Sequence, residues 1–410
     1  MRRTARAAKA RYGAIFRLPH ARALLLAEIP ARAPIAIIGL AIVLFVREHV
    51  GSYGTAGLTA GAFGLTLAVS SPLLGRLIDR VGLVAIVVPA SVVHAAAITG
   101  LVITGLNGGS TVLLVFCSAL AGAALPPLGS ISRALWPRII EEGGGEAELL
   151  STALATEGVL IEALFTVGPL ITATLSVLAD PAVPLLLAPL LMMLGLAMML
   201  PLPPVRSWKT SPGAAEHGML GALRSRGLRT LMLCTLPMGF CFGAIEVTLP
   251  AFAEDQGSRA LGGLLIAAWS FGSALGGLTY GAIDWQGSLA RRYSRLALLL
   301  PLGFAPLALA PSMSVMAVLA WFAGLSIAPV LTAGNQIVGD LARQGTETEA
   351  YTWPITSLVT GLAAGNAAAG LIVSHAGLTE AFLVSTAAAV VAATIALARW
   401  PAFAANRPVT

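Results

Sequence analysis

Long apolar runs separated by short polar stretches make up almost the whole chain. Each run is long enough for a helix of about 20 residues, which is the length that crosses a bilayer. The runs are continuously apolar and do not alternate, which favours helices over a transmembrane barrel. We number them spans 1 to 12, at residues 23–46, 55–77, 83–105, 111–133, 150–178, 182–202, 230–253, 261–283, 294–311, 314–338, 354–374 and 379–399. The pattern predicts an all-α integral membrane protein with twelve transmembrane helices.

Polar segments divide the spans into two groups of six. The longest internal polar segment, 203–229, contains Pro212, Gly213 and five basic residues. We therefore predict five regions, which are a basic cytoplasmic N-terminal arm (1–22), an N-terminal six-helix bundle (23–202), a cytoplasmic linker (203–229), a C-terminal six-helix bundle (230–400) and a cytoplasmic tail (401–410).

Composition excludes a soluble domain. The chain is 57% hydrophobic and 11% charged, whereas a soluble domain has roughly a quarter of its residues charged. Its 44 glycines and 25 prolines are typical of closely packed, kinked transmembrane helices. The three cysteines, Cys117, Cys234 and Cys241, all lie in apolar runs. We expect them to be small buried hydrophobic residues and not a disulfide framework.

Basic residues are concentrated in alternate connections between the spans. With a cytoplasmic N-terminus, the inside connections and the tail carry Arg76, Arg80, Arg133, Arg138, Arg206, Arg224, Arg226, Arg229, Arg291, Arg292, Arg295, Arg343, Arg399 and Arg407. The outside connections carry only Arg47 and Arg259. This asymmetry is the positive-inside rule, and it predicts a multi-pass protein of the cell membrane with both termini in the cytoplasm. It also accounts for an isoelectric point near 9.7 without nucleic-acid binding.

A charged segment between spans 2 and 3, Gly75 to Gly82, has a partial copy half a chain later. A shift of 205 residues, half the length, places Gly57, Ala62, Ile78, Asp79 and Gly82 on Gly262, Ala267, Ile283, Asp284 and Gly287. In both copies the aspartate follows an apolar run and precedes a glycine by three residues. The repetition indicates two related halves.

The twelve spans, the basic central segment, the half-chain repetition and the stretch Gly75-x-x-x-Asp79-Arg80-x-Gly82 together resemble the major facilitator superfamily. The stretch is similar to that family's signature between spans 2 and 3, except that Leu83 and Val84 stand where basic residues are usual. The resemblance implies two pseudo-symmetric six-helix bundles around a central substrate path, with alternating access. Spans 1, 4, 7 and 10 would line the cavity, spans 2, 5, 8 and 11 would flank it, and spans 3, 6, 9 and 12 would face lipid.

The same resemblance implies a conformational latch on the cytoplasmic side, formed by Gly75, Asp79, Arg80, Gly82 and Asp284. Asp79 ends span 2 where span 11 is expected to begin, near Trp353 and Pro354. A helix N-terminus stabilises a nearby carboxylate by ~0.3–1 kcal/mol. We expect Asp284 to make the mirror contact with the start of span 5, and Arg80 to lie among the headgroups.

Ionisable residues inside the spans are functional candidates, because a charge at the bilayer centre costs about 3 kcal/mol or more. Arg32 lies near the middle of span 1, and Glu28 lies one helical turn away on the same face. Pro30 and Pro34 each remove a helical N–H and free a carbonyl group. We favour a place for this stretch in the polar wall of the substrate cavity. The alternative is a structural ion pair that faces another helix.

Glu157 and Glu162 in span 5 are about 140° apart around a helix, so both cannot face one cavity. Arg133, near the end of span 4, is the expected partner of Glu157. Glu162 and Glu246 have no basic neighbour in sequence, and a lone buried carboxyl group can hold its proton near neutral pH. We predict that Glu162, Glu157 and Glu246 include the proton-coupling site. The alternative is a protonated side chain that bonds a neighbouring helix.

Three uncharged side chains, Asn335, Gln336 and Asn366, complete the predicted substrate cavity with Glu28, Arg32 and Glu246. Residues of this type also hold transmembrane helices together. His94 lies in the lipid-facing span 3, where we expect a neutral ring bonded to a backbone carbonyl.

The leading interpretation is a monomeric secondary transporter that exports a small amphipathic organic compound in exchange for protons. Of the glycine-rich signature that many antiporters of the family carry in span 5, only Gly168-Pro169 matches. The second interpretation is a sugar or metabolite carrier of the same fold. A polytopic membrane enzyme is disfavoured, because the five histidines are scattered and pair with no carboxylate cluster. We expect no catalytic residue, no metal and no cofactor.

Overall fold

The computed structural model describes residues 10–51, 53–208, 221–257, 261–342 and 346–403, with only the backbone of residues 53, 54 and 374. Helices and short connections make up the described residues, and no strand occurs among them. Parts of the predicted arm (1–9), linker (209–220) and tail (404–410) lie outside the described residues, as do Arg259, Arg343 and Arg407.

Helix α1 covers residues 10–15 and precedes the first span. The N-terminal bundle contains α2 (Ala21–Ala31), α3 (Ala33–Val50), α4 (Tyr53–Val81), α5 (Leu83–Leu106), α6 (Thr111–Ala124), α7 (Leu128–Glu142), α8 (Leu149–Leu178) and α9 (Ala182–Met199). The short helix α10 (Pro203–Arg206) follows. The C-terminal bundle contains α11 (Arg226–Asp255), α12 (Gly262–Ala282), α13 (Leu289–Phe304), α14 (Met313–Gly324), α15 (Ile327–Leu341), α16 (Glu347–His375) and α17 (Leu378–Ala398).

The predicted fold class is confirmed. In the described part of the chain, 11 helical segments are long and apolar enough to cross a membrane. The remaining span, span 9, consists of α13 and a 3-10 turn at Ala305–Leu309. Its apolar length is short because Arg291, Arg292 and Arg295 occupy the first two turns of α13. The chain therefore forms twelve transmembrane spans in two pseudo-symmetric bundles of six.

Three of the four spans expected to line the cavity are interrupted within the membrane. Span 1 breaks into α2 and α3 at Arg32, span 4 into α6 and α7 at 125–127, and span 10 into α14 and α15 at 325–326. Prolines, which cannot donate a helical hydrogen bond, lie at or beside the first two breaks (Pro30, Pro34, Pro126 and Pro127). Irregular backbone at membrane depth is tolerated only where protein or a water-filled cavity covers it. The breaks therefore belong in the interior.

Corresponding pairs of spans pack together in the two bundles. The contacts of spans 2 and 4 are repeated by spans 8 and 10, those of 3 and 6 by 9 and 12, and those of 1 and 6 by 7 and 12. The turns after spans 2 and 8 also match, because Gly82 and Gly287 both have positive φ, of 115° and 90°. The sequence repetition thus corresponds to a repeated arrangement of helices.

Glycines allow α11 and α16 to pack backbone against backbone. Gly239 and Gly243 on α11 are four residues apart, as are Gly361 and Gly365 on α16. A Cβ atom at any of these positions would overlap a backbone oxygen of the other helix. This spacing of small residues is the one that brings transmembrane helices into close contact.

The two bundles meet along a seam formed by α4 with α16, α8 with α12 and α15, and α7 with α16. Hydrogen bonds across the seam involve residues 68–79, 152–162, 273–281 and 348–356. These segments are the helix halves nearest to the basic connections, and we call this end of the molecule the closed face. Away from the closed face, Glu246 in the second half of α11 is exposed, which indicates a cleft between the bundles at the other end.

We predict that Gly361→Ala destabilises the C-terminal bundle. The added methyl group would meet the carbonyl oxygen of Leu236, and forcing extra atoms into a packed interface costs about 1–3 kcal/mol. Gly370→Ala on the same helix is the matched control, because a Cβ atom there meets nothing within 4 Å. Thermal unfolding in detergent should show a lower midpoint for Gly361→Ala alone. Equal midpoints for the two variants would contradict the close packing.

Candidate functional site

Five side chains from spans 1, 4 and 5 form a buried charge network in the N-terminal bundle. Arg32 Nη1 lies 3.3 Å from Glu28 Oε2 and 3.4 Å from Glu157 Oε2. Arg133 Nε lies 3.5 Å from the same Glu157 oxygen. The indole Nε1 of Trp136 donates a hydrogen bond of 2.5 Å to Glu157 Oε1. Two carboxylates and two guanidinium groups thus offset one another's charge, and Glu157 lies at the centre.

The helix breaks bring these charges together. Arg32 occupies the break between α2 and α3, where its side chain can reach the first turn of α7. Gly129 in that turn leaves room for it, because a Cβ atom there would lie 2.9 Å from Arg32 Nη2. Glu28 and Glu157 are each 1% exposed, so an unpaired charge at either position would be costly.

The structure confirms both expected pairings, Glu28 with Arg32 and Arg133 with Glu157. Sequence reasoning did not show that Arg32 also pairs with Glu157, which joins the two pairs into one network. In this conformation Glu28 and Arg32 are buried within their own bundle. Their contact with substrate stays a prediction.

Tyr351 of the C-terminal bundle lies near the network at the closed face. The side chain is 2% exposed and interacts electrostatically with Arg133 and Glu157. Because Tyr351 belongs to α16, it stays near these residues only while α16 contacts α7. Separation of the bundles would therefore open the network to the closed-face side. No sequence signal identified Tyr351, which stands one helical turn into span 11.

A second group of polar side chains lies where the seam ends and the cleft begins. Ser273 of α12 donates a hydrogen bond of 2.9 Å to Glu162 Oε1 of α8, across the two bundles. Glu246 of α11 interacts with the charge of Glu162 and accepts a hydrogen bond from the side chain of Asn366 on α16. We call Glu162, Glu246 and Asn366 the cleft floor. Glu157 and Glu162 thus face different surroundings, as their 140° separation predicted.

The two remaining amide side chains do not belong to the cleft floor. Gln336 Oε1 accepts hydrogen bonds from the Tyr280 hydroxyl at 2.7 Å and from Arg292 Nη2 at 3.3 Å. Gln336 therefore joins α12, α13 and α15 near the closed face. This is the second role considered for such residues, which is to hold transmembrane helices together. Asn335 is half-buried on α15 and forms no hydrogen bond with the residues that the structure describes.

Asp79 contacts the N-terminus of span 11, as expected. Its carboxylate accepts hydrogen bonds from the backbone N–H groups of Thr348 at 3.2 Å and Glu349 at 3.0 Å. Gly75 makes this approach possible, because a Cβ atom there would lie 3.2 Å from Glu349 Cα. The expected start of span 11 was too late, since α16 already begins at Glu347. Glu347 and Glu349 make this first turn polar, so the apolar run that defined span 11 begins only after it.

Two charged residues of this contact were missed. Arg76 is 4% exposed and lies 3.4 Å from Glu349 Oε2, whereas the neighbouring Arg80 is half-buried. Glu349 Oε1 also accepts from the backbone N–H of Ala222 and from Trp353 Nε1, both at 3.3 Å. The end of the linker is thereby attached to the start of span 11.

The expected mirror contact of Asp284 with the start of span 5 is wrong. Asp284 is 63% exposed and pairs with Arg11 at 3.1 Å, and Arg11 Nη2 donates to the backbone oxygen of Glu148 at 3.2 Å. The Tyr12 hydroxyl donates to the backbone oxygen of Leu278 at 2.8 Å. Burial raises the pKa of Tyr12 to about 12, so this donor keeps its proton at neutral pH. Helix α1 bridges α8 and α12 because α12 ends at Ala282, before Asp284 can reach α8.

His94 is placed as expected. Its ring Nδ1 lies 2.8 Å from the backbone oxygen of Ala121, and the residue is fully buried. Among the described residues, no group of three or more His, Cys, Asp or Glu side chains could hold a metal ion.

We predict that Asp79→Asn weakens the closed face without unfolding the protein. The variant loses the carboxylate charge at a helix N-terminus, so the open population should rise by roughly 2- to 30-fold, from ~0.3–2 kcal/mol. A reporter Val159→Cys in the seam, in a protein without its native cysteines, should react faster with an impermeant thiol reagent added at the closed face. Glu142→Gln is the control, because it removes an exposed carboxylate at the end of α7, at the same end of the molecule. An unchanged reaction rate in Asp79→Asn would remove the latch role.

We predict that Arg32→Ala destabilises the protein more than Arg32→Lys. Losing the cation leaves Glu28 without its partner and Glu157 with Arg133 alone, and breaking a buried pair costs about 3–5 kcal/mol. The double variant Glu28→Gln, Arg32→Gln should recover thermal stability but not transport. Full transport by that double variant would show that the pair is structural only.

Three solved structures of similar fold are transporters. The human organic anion transporter MFSD10 (TETRAN) matches with a TM-score of 0.70 and 18% identity, over 91% of this chain and 97% of that chain. A bacterial homologue of the iron transporter ferroportin, in an outward-facing state, matches at 0.77 and 13%, over 93% and 98%. FucP in the outward conformation matches at 0.70 and 14%, over 92% and 98%. At these identities the likeness concerns the fold.

Comparison with curated protein sequences returned no match. The sequence profile described as Major Facilitator Superfamily matches residues 24–285, which is more than half of the chain. The profile, the twelve spans and the seam between two bundles agree on one family. The chain belongs to the Major Facilitator Superfamily and is a membrane transporter, not an enzyme.

Proposed function

We propose that this transporter exports a small amphipathic organic compound in exchange for protons. The basic connections gather at the closed face, so the positive-inside rule favours a cytoplasmic closed face and cytoplasmic termini in the cell membrane. With that orientation the cleft opens to the outside. The conformation described here would then be the one that releases substrate and takes up protons.

The hydrogen bond between Ser273 and Glu162 is the observation that carries the proposal. Of the bonds between α8 and α12, it lies farthest from the closed face, where the seam gives way to the cleft. Opening the closed face would separate α8 from α12 and break this bond. The carboxyl group of Glu162 would therefore have different surroundings in the two states. Different proton affinities in the two states are the thermodynamic source of coupling.

The cleft floor also fits an amphipathic substrate. Among the described residues, no guanidinium group pairs with Glu162 or Glu246, unlike the carboxylates of the charge network. A proton or a polar group of the substrate can occupy this position, while the apolar helix surfaces of the cleft receive its hydrophobic part. Glu246 and Asn366 are the proposed substrate contacts. Glu157, enclosed by two arginines, has the weaker claim to proton coupling.

A sugar or metabolite carrier of the same fold is the second candidate. Asn366 favours it, because its side-chain Oδ1 has no hydrogen-bond partner among the described residues and lies beside Glu246. Vesicles containing the purified protein, with an imposed pH gradient, can be tested against dyes, drugs and sugars. Gradient-driven accumulation of amphipathic compounds supports the first candidate. Movement of sugars alone supports the second.

We predict that Glu162→Gln abolishes proton-driven accumulation and spares downhill exchange. Glutamine keeps the hydrogen bond to Ser273 but cannot bind or release a proton. In vesicles with a pH gradient, the ratio of inside to outside substrate should fall to one, whereas equilibrium binding should stay within about twofold, or ~0.4 kcal/mol.

Glu246→Gln is the matched control, since it removes the other carboxyl group of the cleft floor. We expect it to weaken substrate binding. Accumulation driven by the pH gradient should be retained. If Glu162→Gln still concentrates substrate at the original rate, coupling belongs to Glu246 or Glu28 and this part of the proposal is wrong.

A further inference from the structure

Two exposed arginines flank a concave site at the closed-face end of spans 9 and 12. Arg291 and Arg295 stand one turn apart on α13, and the site has a volume of about 350 Å³ and is lined by Arg291, Ser294, Arg295, Leu397 and Trp400. The guanidinium carbon of Arg291 lies 5.6 Å from the centre of the Trp400 ring. No described acidic side chain forms an ion pair with either arginine.

A hydrogen bond at the floor of this site joins two helices. The Ser294 hydroxyl donates to the backbone oxygen of Ala396 at 2.8 Å and so ties α13 to α17. The two guanidinium groups therefore lie on either side of a point where α13 and α17 are bonded to each other. Side chains four residues apart on a helix are neighbours, and like charges in that position repel each other. An anion bound between them would remove the repulsion.

A separate apolar groove lies deeper in the membrane along the same helix. It has a volume of about 430 Å³ and lies between α13 and α14, lined by Leu299, Leu302, Gly303, Pro306, Leu319, Phe322, Leu325 and Ser326. Arg291, Arg295, Leu299 and Leu302 follow one another at spacings of four, four and three residues, which is one face of a helix. At 1.5 Å per residue the groove begins roughly 6 Å below Arg295.

The arginine pair is not a general property of the lipid-facing spans. The half-chain shift of 205 residues places Arg291 and Arg295 on Ile86 and Ala90 of α5. Span 3 occupies the position in the N-terminal bundle that span 9 occupies in the C-terminal bundle. The positive-inside rule does not require a pair of arginines at this place. Arg76 and Arg80, next to span 3, already put basic charge on the same side of the membrane.

We propose that this surface binds one anionic phospholipid of the leaflet at the closed face. The phosphate group lies between Arg291 and Arg295, the glycerol region lies against Trp400, and one acyl chain follows Leu299 and Leu302 into the groove. Guanidinium groups bind phosphate through two parallel hydrogen bonds. Trp400 is suited to the headgroup region, where one edge of the indole ring is wet and the rest is apolar.

The test compares two lipids on the purified full-length protein in detergent. Phosphatidylglycerol and phosphatidylcholine with identical acyl chains are titrated, and bound lipid is counted by native mass spectrometry alongside the thermal midpoint. The wild type should prefer phosphatidylglycerol by roughly 10- to 30-fold, given two basic residues at the surface. Arg291→Gln with Arg295→Gln should reduce this preference to within about twofold of unity.

Two variants control for charge and folding. Arg226→Gln with Arg229→Gln removes two exposed arginines from the start of α11, outside the groove, and should keep the preference. Arg291→Lys with Arg295→Lys retains the charge and should keep most of it. The proposal is overturned if the wild type binds both lipids equally, or if the Arg226 and Arg229 variant loses as much preference. Displacement of the lipid by inorganic phosphate alone would mean a phosphate site and would also overturn it.

Discussion

A charge buried among transmembrane helices needs an opposite charge inside the protein, and this requirement organises the N-terminal bundle. Arg32 and Arg133 share the carboxylate of Glu157, and Arg32 also holds Glu28. Glu28 and Arg32 lie on one span, but Glu157 of span 5 joins their pair to Arg133 of span 4 only when all three spans pack in one arrangement. The helix break at Arg32 and the missing side chain at Gly129 give the guanidinium group of Arg32 the space it occupies in that arrangement. Removing one partner of such a network is costly, whereas replacing the whole network with apolar residues is often neutral.

Span 5 connects this network to the rest of the transporter. One face of α8 presents Glu157 to the arginines of its own bundle, and another presents Glu162 to Ser273 of the other bundle. Tyr351 of α16 approaches the network from the opposite bundle. A movement of α8 and α16 at the seam therefore changes the surroundings of both carboxyl groups together. Under the proposed function, a proton and a substrate would affect one conformational equilibrium through this arrangement.

Two different sets of contacts close the seam, although the bundles repeat the same fold. On one side Asp79 accepts hydrogen bonds from the N-terminus of α16. On the other side Asp284 has no such contact, and Arg11 of helix α1 joins it to the start of α8. The difference arises because α4 continues past Asp79 to Val81, whereas α12 ends at Ala282, before Asp284. Helix α1, which lies outside the repeat, thus makes the contact that the second aspartate does not make.

The sequence by itself determined the number of spans, the division into two halves, the face of the basic connections and the contact of Asp79 with span 11. These features depend on hydrophobic run length, local charge and a short motif, which are properties of neighbouring residues. The pairing of Arg133 with Glu157 was also predictable, since the end of span 4 and the start of span 5 are close in the chain. Span 9 was found by its apolar length despite the arginines of its first turns.

Only the tertiary structure decided which distant side chains meet. The contact of Arg32 with Glu157, the position of Tyr351, the role of Arg11 and the use of Gln336 to join helices link residues far apart in the chain. Such contacts depend on the rotation of each helix about its axis and on where it begins and ends. A lipid-embedded helix is apolar on most sides, so hydrophobic periodicity cannot define that rotation as it does in a soluble protein. Close packing at small residues and the pairing of buried charges define it instead.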